Sequence, residues 1–176
     1  MANLLTALRI ALIVPFAAAF LAGGEAGRWA AFGIFLIAAL TDFADGRVAR
    51  ARGETSALGA ALDPIADKAL AATALLLLAA SGDVAGPHLV PAIAILVREF
   101  VVSGLREAAA GRGDVPVTAL SKLKTVVQFA ALAALTAPLV IAQTIGAALL
   151  WVAGLLTLWT GLAHARSAVE ALQKTS

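Results

Sequence analysis

Long apolar runs separated by short polar or glycine-rich breaks fill most of the chain. The first runs from about Leu5 to Ala22, with Arg9 near its start, and the loop Gly23-Gly24-Glu25-Ala26-Gly27 follows. A second begins near Arg28, reaches Thr41 and continues as a helix through a charged segment that ends at Gly53. A third covers about Ala57 to Ala80, with Pro64 inside it, and Ser81 to Pro87 forms a turn. The fourth starts near His88, changes character at Arg98-Glu99 and ends in a charged stretch from Arg106 to Gly113, after which Val115-Pro116 closes the loop. The fifth opens at Ser121 and is wholly apolar from Val126 to about Ile141; a tight turn is predicted at Gln143-Thr144, and a sixth run covers about Ile145 to Ala163. The tail from His164 to Ser176 is polar and is predicted to be a short helix at a membrane surface. A helix needs roughly 20 apolar residues to cross a bilayer core about 30 Å thick. The pattern therefore predicts an all-α integral membrane protein with six transmembrane helices, a single domain over residues 1–176.

Composition supports lipid as the solvent. Of 176 residues, 61% are hydrophobic and 14% charged, more apolar surface than a soluble domain of this size can hide. The net charge of +2 is too small to argue for nucleic acid, and zero Cys excludes disulfides, thiol catalysis and Cys-ligated zinc. The basic residues set the orientation. Arg9, then Arg47, Arg50 and Arg52, then Arg106, Arg112, Lys122 and Lys124, then Arg166 and Lys174 fall at one face, and only Arg28 at the other. Both termini and the charged segment after Thr41 are accordingly expected to be cytoplasmic. Trp29 and Trp151 then lie near the outer boundary and Trp159 towards the inner one. A cleaved signal peptide competes for the first run, whose basic start and small residues near Gly23 fit that template.

Chemistry concentrates between Asp42 and Asp67. On a helix Asp42, Asp45, Gly46 and Ala49 fall at i, i+3, i+4 and i+7, so both acids share a face with two small residues. Gly59, Asp63 and Asp67 form a second stripe at i, i+4 and i+8. Gly53 breaks the first helix, and Thr55 or Ser56 can cap the next. Two antiparallel helices would present four carboxylates to each other across a short turn. Like charges that close repel unless a cation sits between them, and all-oxygen ligands favour a hard ion, Mg²⁺ or Mn²⁺, as one ion or two. Gly46, Ala49 and Gly59 leave room for a ligand beside the metal; the alternative for Gly46 and Gly59 is close helix packing. A divalent-cation transporter would use the same carboxylates. The acids lie at one membrane face with no matching polar set at the other, which argues against a through-path.

The spacing Asp42-x2-Asp45-Gly46-x2-Ala49-Arg50-x8-Gly59-x3-Asp63-x3-Asp67 resembles the signature of the CDP-alcohol phosphotransferases at every position. Asn3, Thr6 and Arg9 resemble the N-terminal N-x2-T-x2-R element of the same family, which stays attached to the mature chain; without the family Arg9 reads as a cytosolic-side anchor. The resemblance implies a membrane enzyme in which an acceptor hydroxyl displaces CMP from a CDP-linked lipid or alcohol. It implies that Asp42, Asp45, Asp63 and Asp67 bind the metals and that Asp67 is also the base. It further implies that Asn3, Thr6, Asp42, Gly46, Ala49, Arg50 and Gly59 shape the CDP site, and that the enzyme is a homodimer.

A second constellation comprises Arg98, Arg106, Lys122 and Lys124, near the inner ends of the fourth and fifth runs. These residues can surround an anionic acceptor, or they can be positive-inside anchors. Arg98 lies about two turns inside its helix beside Glu99, where ionisable groups usually face a cavity or partner. The segment Arg98 to Glu107, with Ser121-Lys122-Leu123-Lys124-Thr125 after it, resembles the bacterial branch of the family that makes phosphatidylglycerophosphate. That branch implies CDP-diacylglycerol as donor, sn-glycerol 3-phosphate as acceptor, and a place in the bacterial cytoplasmic membrane with the active site at its cytoplasmic face. Inositol phosphate is the alternative acceptor. His88 and His164 read as interfacial, and Asp83 and Glu25 as solvated loop acids.

Overall fold

The computed structural model describes the backbone of residues 2–52, 57–108 and 119–173, and the side chains of residues 7–41, 65–105 and 119–162. Six α-helices and no strand occur among the described residues: α1 Ala2–Ala22, α2 Gly24–Arg52, α3 Ala57–Ala80, α4 Leu89–Ala108, α5 Ala119–Thr136 and α6 Val140–Gln173. A single 3₁₀ turn, Gly86–His88, precedes α4. By length and composition Gly86–Leu105, Ala119–Thr136 and Val140–Leu162 can each cross a membrane, and Ala7–Ala22 is a shorter apolar stretch. The side chains agree with a lipid-facing surface. Val14, Leu21, Val140, Ile141 and Trp159 are each more than 70% exposed, whereas Arg9 is fully enclosed.

Three boundaries differ from expectation. The first loop shrinks to Gly23, because Gly23 and Gly24 adopt φ of 69° and 66° and turn the chain at once. The last turn lies at Ala137–Leu139, so Gln143 and Thr144 belong to α6. Pro138 has no N–H and ends α5, while Gln143 Nε2 donates to the Ala137 carbonyl (3.3 Å) from the start of the next helix. The tail is no separate helix: α6 runs unbroken for 34 residues, about 51 Å at 1.5 Å per residue, longer than the bilayer core is thick. After Gly161 no glycine or proline interrupts it, and Ala, Arg, Glu, Leu and Gln favour helix.

The helices form two compact units. The first contains Met1–Val84 and Leu132–Gly146. In it α1 packs against both α2 and α3. A Cβ on Gly27 would lie 2.7 Å from the Ala19 carbonyl oxygen, and the rings of Phe16 and Phe35 are 5.5 Å apart, so α1 and α2 are antiparallel and in close contact. Arg28 closes one end. Its guanidinium lies 4.4 Å over the Phe20 ring, bonds Asp83 Oδ2 (2.6 Å) just past the end of α3, and donates to the Leu135 carbonyl (3.0 Å). Asp83 is thus an ion-pair partner as well as a hydrogen-bond acceptor from Ser81, rather than a solvated acid. Because Arg28 meets the ends of both α1 and α3, these two helices run in the same direction.

The second unit contains Ala85–Ala131 and Ala147–Ser176. Here α4 and α6 touch three times at a constant offset of 63 positions. Trp151 Nε1 donates to His88 Nδ1 (3.0 Å), a Cβ on Gly154 would lie 2.6 Å from Pro91 Cβ, and one on Gly161 would lie 2.9 Å from Arg98 Cγ. A fixed offset means parallel helices, and the seven-residue interval between the two glycine contacts is the repeat of a coiled-coil seam. Without a hydrophobic drive between helices in lipid, such close approach at small residues supplies the packing energy.

Candidate active site

Along α2 the acids Asp42 and Asp45 lie in its last three turns, and along α3 Gly59, Asp63 and Asp67 lie in its first three, as the helical spacing predicts. The side chains of Asp42, Asp45, Ala49, Arg50 and Asp63 and the surroundings of Gly46 and Gly59 lie outside the described residues, as do the side chains of Asn3, Thr6 and Arg106. The backbone still places the two helices. From the Phe16–Phe35 contact, seven residues back along α1 reach Arg9 while α2 advances to about residue 42. The first acid of the signature is therefore level with Arg9, at the end of the unit opposite Arg28.

Asp67 is the signature carboxylate whose surroundings are described. Arg9 NH1 donates to its Oδ1 at 2.7 Å, a charge-assisted bond from α1 to α3 across 58 positions. The two partners differ in exposure: the Arg9 side chain is 0% exposed and that of Asp67 34%. A charge withdrawn from both water and headgroups needs a counter-charge, and Asp67 provides it. Sequence reasoning placed Arg9 in the N-terminal element or at the membrane surface and missed this pairing. The available signal was a lone cation inside an apolar run, which calls for a carboxylate on a neighbouring helix.

Among the described residues no three His, Asp or Glu side chains gather as a metal group. The described donor is nevertheless suited to a hard cation: Asp67 supplies an anionic oxygen pair, partly open, at the level where α2 brings its acids.

In the second unit Arg98, Glu99 and Lys124 form a cluster. Glu99 Oε1 accepts from both Lys124 Nζ and Arg98 NH1, the latter at 3.4 Å. Lys124 is buried at 3% exposure, so it is no headgroup anchor, while Lys122 two positions earlier is exposed. The structure thus brings Arg98 and Lys124 onto one carboxylate and leaves Lys122 apart. One turn from Lys124 on α5, the buried Gln128 has no partner for its Oε1, and one turn before Gly161 on α6, the buried Thr157 has none for its Oγ1. Neither polar position was singled out from the sequence, since a single Gln or Thr in an Ala- and Leu-rich helix carries no pattern.

The profile of the CDP-alcohol phosphatidyltransferase family matches residues 1–159. A CDP-diacylglycerol–glycerol-3-phosphate 3-phosphatidyltransferase of Rickettsia bellii (strain RML369-C) is 37% identical over 168 residues, which cover 92% of this chain and 91% of that protein. The protein of the same name from Shigella flexneri serotype 5b (strain 8401) is 38% identical over 170 residues, 94% of this chain and 93% of its own. A Mycobacterium tuberculosis (strain CDC 1551 / Oshkosh) protein, named as a probable phosphatidylglycerophosphate synthase, is 39% identical over 174 residues, 97% of this chain and 82% of its own.

Proposed function

The chain belongs to the CDP-alcohol phosphatidyltransferase family, and from that premise we propose that it transfers the phosphatidyl group of CDP-diacylglycerol to the 1-hydroxyl of sn-glycerol 3-phosphate. The products are phosphatidylglycerophosphate and CMP. The observation that carries the acceptor is similarity over more than nine-tenths of both chains to two enzymes named for that reaction.

Asp42, Asp45, Asp63 and Asp67 would hold Mg²⁺ or Mn²⁺, which when bound neutralises the diphosphate and the departing CMP. The chain's own residues do the rest. Asn3, Thr6, Gly46, Ala49, Arg50 and Gly59, with Asp42, shape the CDP site at the end of the first unit where α2 and α3 carry the signature. Asp67 accepts the proton of the acceptor hydroxyl as its oxygen bonds to phosphorus and the bond to CMP breaks. Arg98, Arg106, Lys122 and Lys124 bind the acceptor's phosphate. Arg98 and Lys124 are already drawn to one carboxylate, and a phosphate offers the same kind of oxygen acceptor.

The enzyme spans the bacterial cytoplasmic membrane six times, with both termini and the site at the cytoplasmic face, and works as a homodimer. The parallel register of α4 and α6 supports the count, because parallel fourth and sixth spans require a fifth that crosses between them. The test is product analysis with purified protein, Mg²⁺, CDP-diacylglycerol and both glycerol 3-phosphate and inositol phosphate present. Phosphatidylglycerophosphate is the expected product. Phosphatidylinositol phosphate would overturn the acceptor assignment, and absence of metal-dependent CMP release with any acceptor would overturn the chemistry.

A further inference from the structure

We propose that Arg9 is a positioning residue that acts on the reaction through Asp67, clamping the plane of its carboxylate from the protein side. The inference rests on the reading of Asp67 as metal-binding base.

An arginine that anchors a helix end stretches to the headgroups and keeps its guanidinium wet. Arg9 does the opposite: its side chain is wholly enclosed, and its guanidinium meets Asp67 Oδ1 at 2.7 Å. Burial is also asymmetric. The arginine is sealed while the carboxylate retains 34% exposure, so Arg9 approaches from inside the unit and reactants reach Asp67 from the open side. The contact comes from α1, the helix packed against both α2 and α3, which carry the acids. Arg9 is therefore held by the same element that sets the distance between the two acidic helices.

The torsion that turns an aspartate's carboxylate is broad and soft, and a free carboxylate samples a wide arc. A planar guanidinium bonded to one oxygen narrows that arc, whereas an ammonium of equal charge on a flexible stem does not. Placement matters because a base must come within about 2.6–3.2 Å of the proton it takes, and a displacement of about 1 Å costs on the order of 10²-fold in rate. Charge makes the opposite demand. A fixed cation beside a metal ligand repels the metal, so Arg9 weakens divalent-ion binding even while it aims the base. A residue whose only role was to hold α1 to α3 would show no such opposition.

The test compares Arg9→Gln, Arg9→Lys, Asp67→Asn and Arg9→Gln/Asp67→Asn in detergent-purified full-length protein. Each is assayed for kcat, for KM of both substrates, for melting temperature, and for Mn²⁺ affinity without substrate. Arg9→Gln is expected to lower kcat about 10²-fold with both KM values within about 3-fold, yet to bind Mn²⁺ at least as tightly as the parent. In the Asp67→Asn background the same substitution should cost less than about 3-fold, because nothing remains to position. Arg9→Lys should melt like the parent and turn over about 10-fold more slowly. If Arg9→Gln does not accumulate as folded protein, the lysine variant decides, and full turnover by it overturns the clamp. Parallel loss of Mn²⁺ affinity and kcat in Arg9→Gln, or additive losses in the double variant, makes Arg9 structural and overturns the proposal. Near-normal turnover by Asp67→Asn alone would instead remove the underlying reading of Asp67, whatever the arginine variants do.

Discussion

Gly154→Ala and Gly161→Ala make the same chemical change at equivalent points of the α4–α6 seam, and the structure assigns them different consequences. At position 154 the new methyl would lie 2.6 Å from Pro91 Cβ and 3.1 Å from its Cα. Carbon atoms pack at about 3.5–4.0 Å, so a separation of about 1 Å must be found. Pro91 is a buried ring fused to backbone and cannot swing aside, so the helices themselves must part. Overpacking of this kind costs about 1–3 kcal/mol, which lowers a melting temperature by on the order of 5 °C in a domain of this length. At position 161 the methyl would lie 2.9 Å from Arg98 Cγ, the stem of a side chain that can move. Movement is cheap for the helix but displaces the guanidinium from Glu99. Gly161→Ala should therefore melt within about 2 °C of the parent while KM for glycerol 3-phosphate rises several-fold and KM for CDP-diacylglycerol stays put. The assay is differential scanning fluorimetry in detergent beside initial rates of CMP release. Equal melting of parent and Gly154→Ala would refute the 63-position register. A lower melting temperature with unchanged acceptor KM in Gly161→Ala would refute the link from seam to acceptor.

Arg28→Ala removes the ion pair to Asp83, the bond to the Leu135 carbonyl and the contact over Phe20, at an end of the first unit remote from Asp67. With Arg28 and Asp83 13% and 22% exposed, a loss of about 2–4 kcal/mol is expected by thermal melting, with kcat of the surviving folded protein unchanged. Thr157→Val replaces an unpartnered buried hydroxyl with a methyl of the same shape and should be neutral or stabilising by up to about 1 kcal/mol; marked destabilisation in the same assay would show that the hydroxyl is bonded. For topology, the native chain has no Cys, so single cysteines introduced at positions 54 and 84 should label from opposite sides of intact cells, and equal outside access to position 54 would refute the orientation.

Most helix positions were legible because lipid enforces them. A backbone in hydrocarbon must satisfy its own hydrogen bonds, so a long apolar run has little choice but helix, and α3 begins and ends at the residues the pattern predicts. Pro138 was hidden inside an apolar run, where hydropathy does not register a missing N–H, and the last turn was misplaced by several residues. Composition changes at His164 and so marks the tail as separate, whereas helix continuity depends on breakers, and none follows Gly161. The signature spacing located the acids on their faces because i, i+3 and i+4 geometry is local. The Arg9–Asp67 and Arg28–Asp83 pairs join positions 58 and 55 apart, and such pairing follows from helix packing rather than from any local pattern. The α4–α6 register was hidden for the same reason, since a glycine seven residues from another is common in such a composition.

The ion pairs also bear on how many cations an acceptor site needs. In the first unit the described pairs Arg9–Asp67 and Arg28–Asp83 each bring a cation to an anion, the arrangement that makes charge tolerable away from water. In the second unit Arg98 and Lys124 both bond the carboxylate of Glu99, so two cations meet at one point. A phosphate monoester carries two negative charges, so the proposed acceptor site needs cations to match them. In the site proposed above, Lys122, exposed and two positions from Lys124, would add a charge, and Arg106, placed by sequence on the last turns of α4, would add a planar donor fork. If that proposal holds, Glu99 would keep Arg98 and Lys124 in place before the acceptor binds, and the residues nearer the ends of α4 and α5 would join them when it arrives.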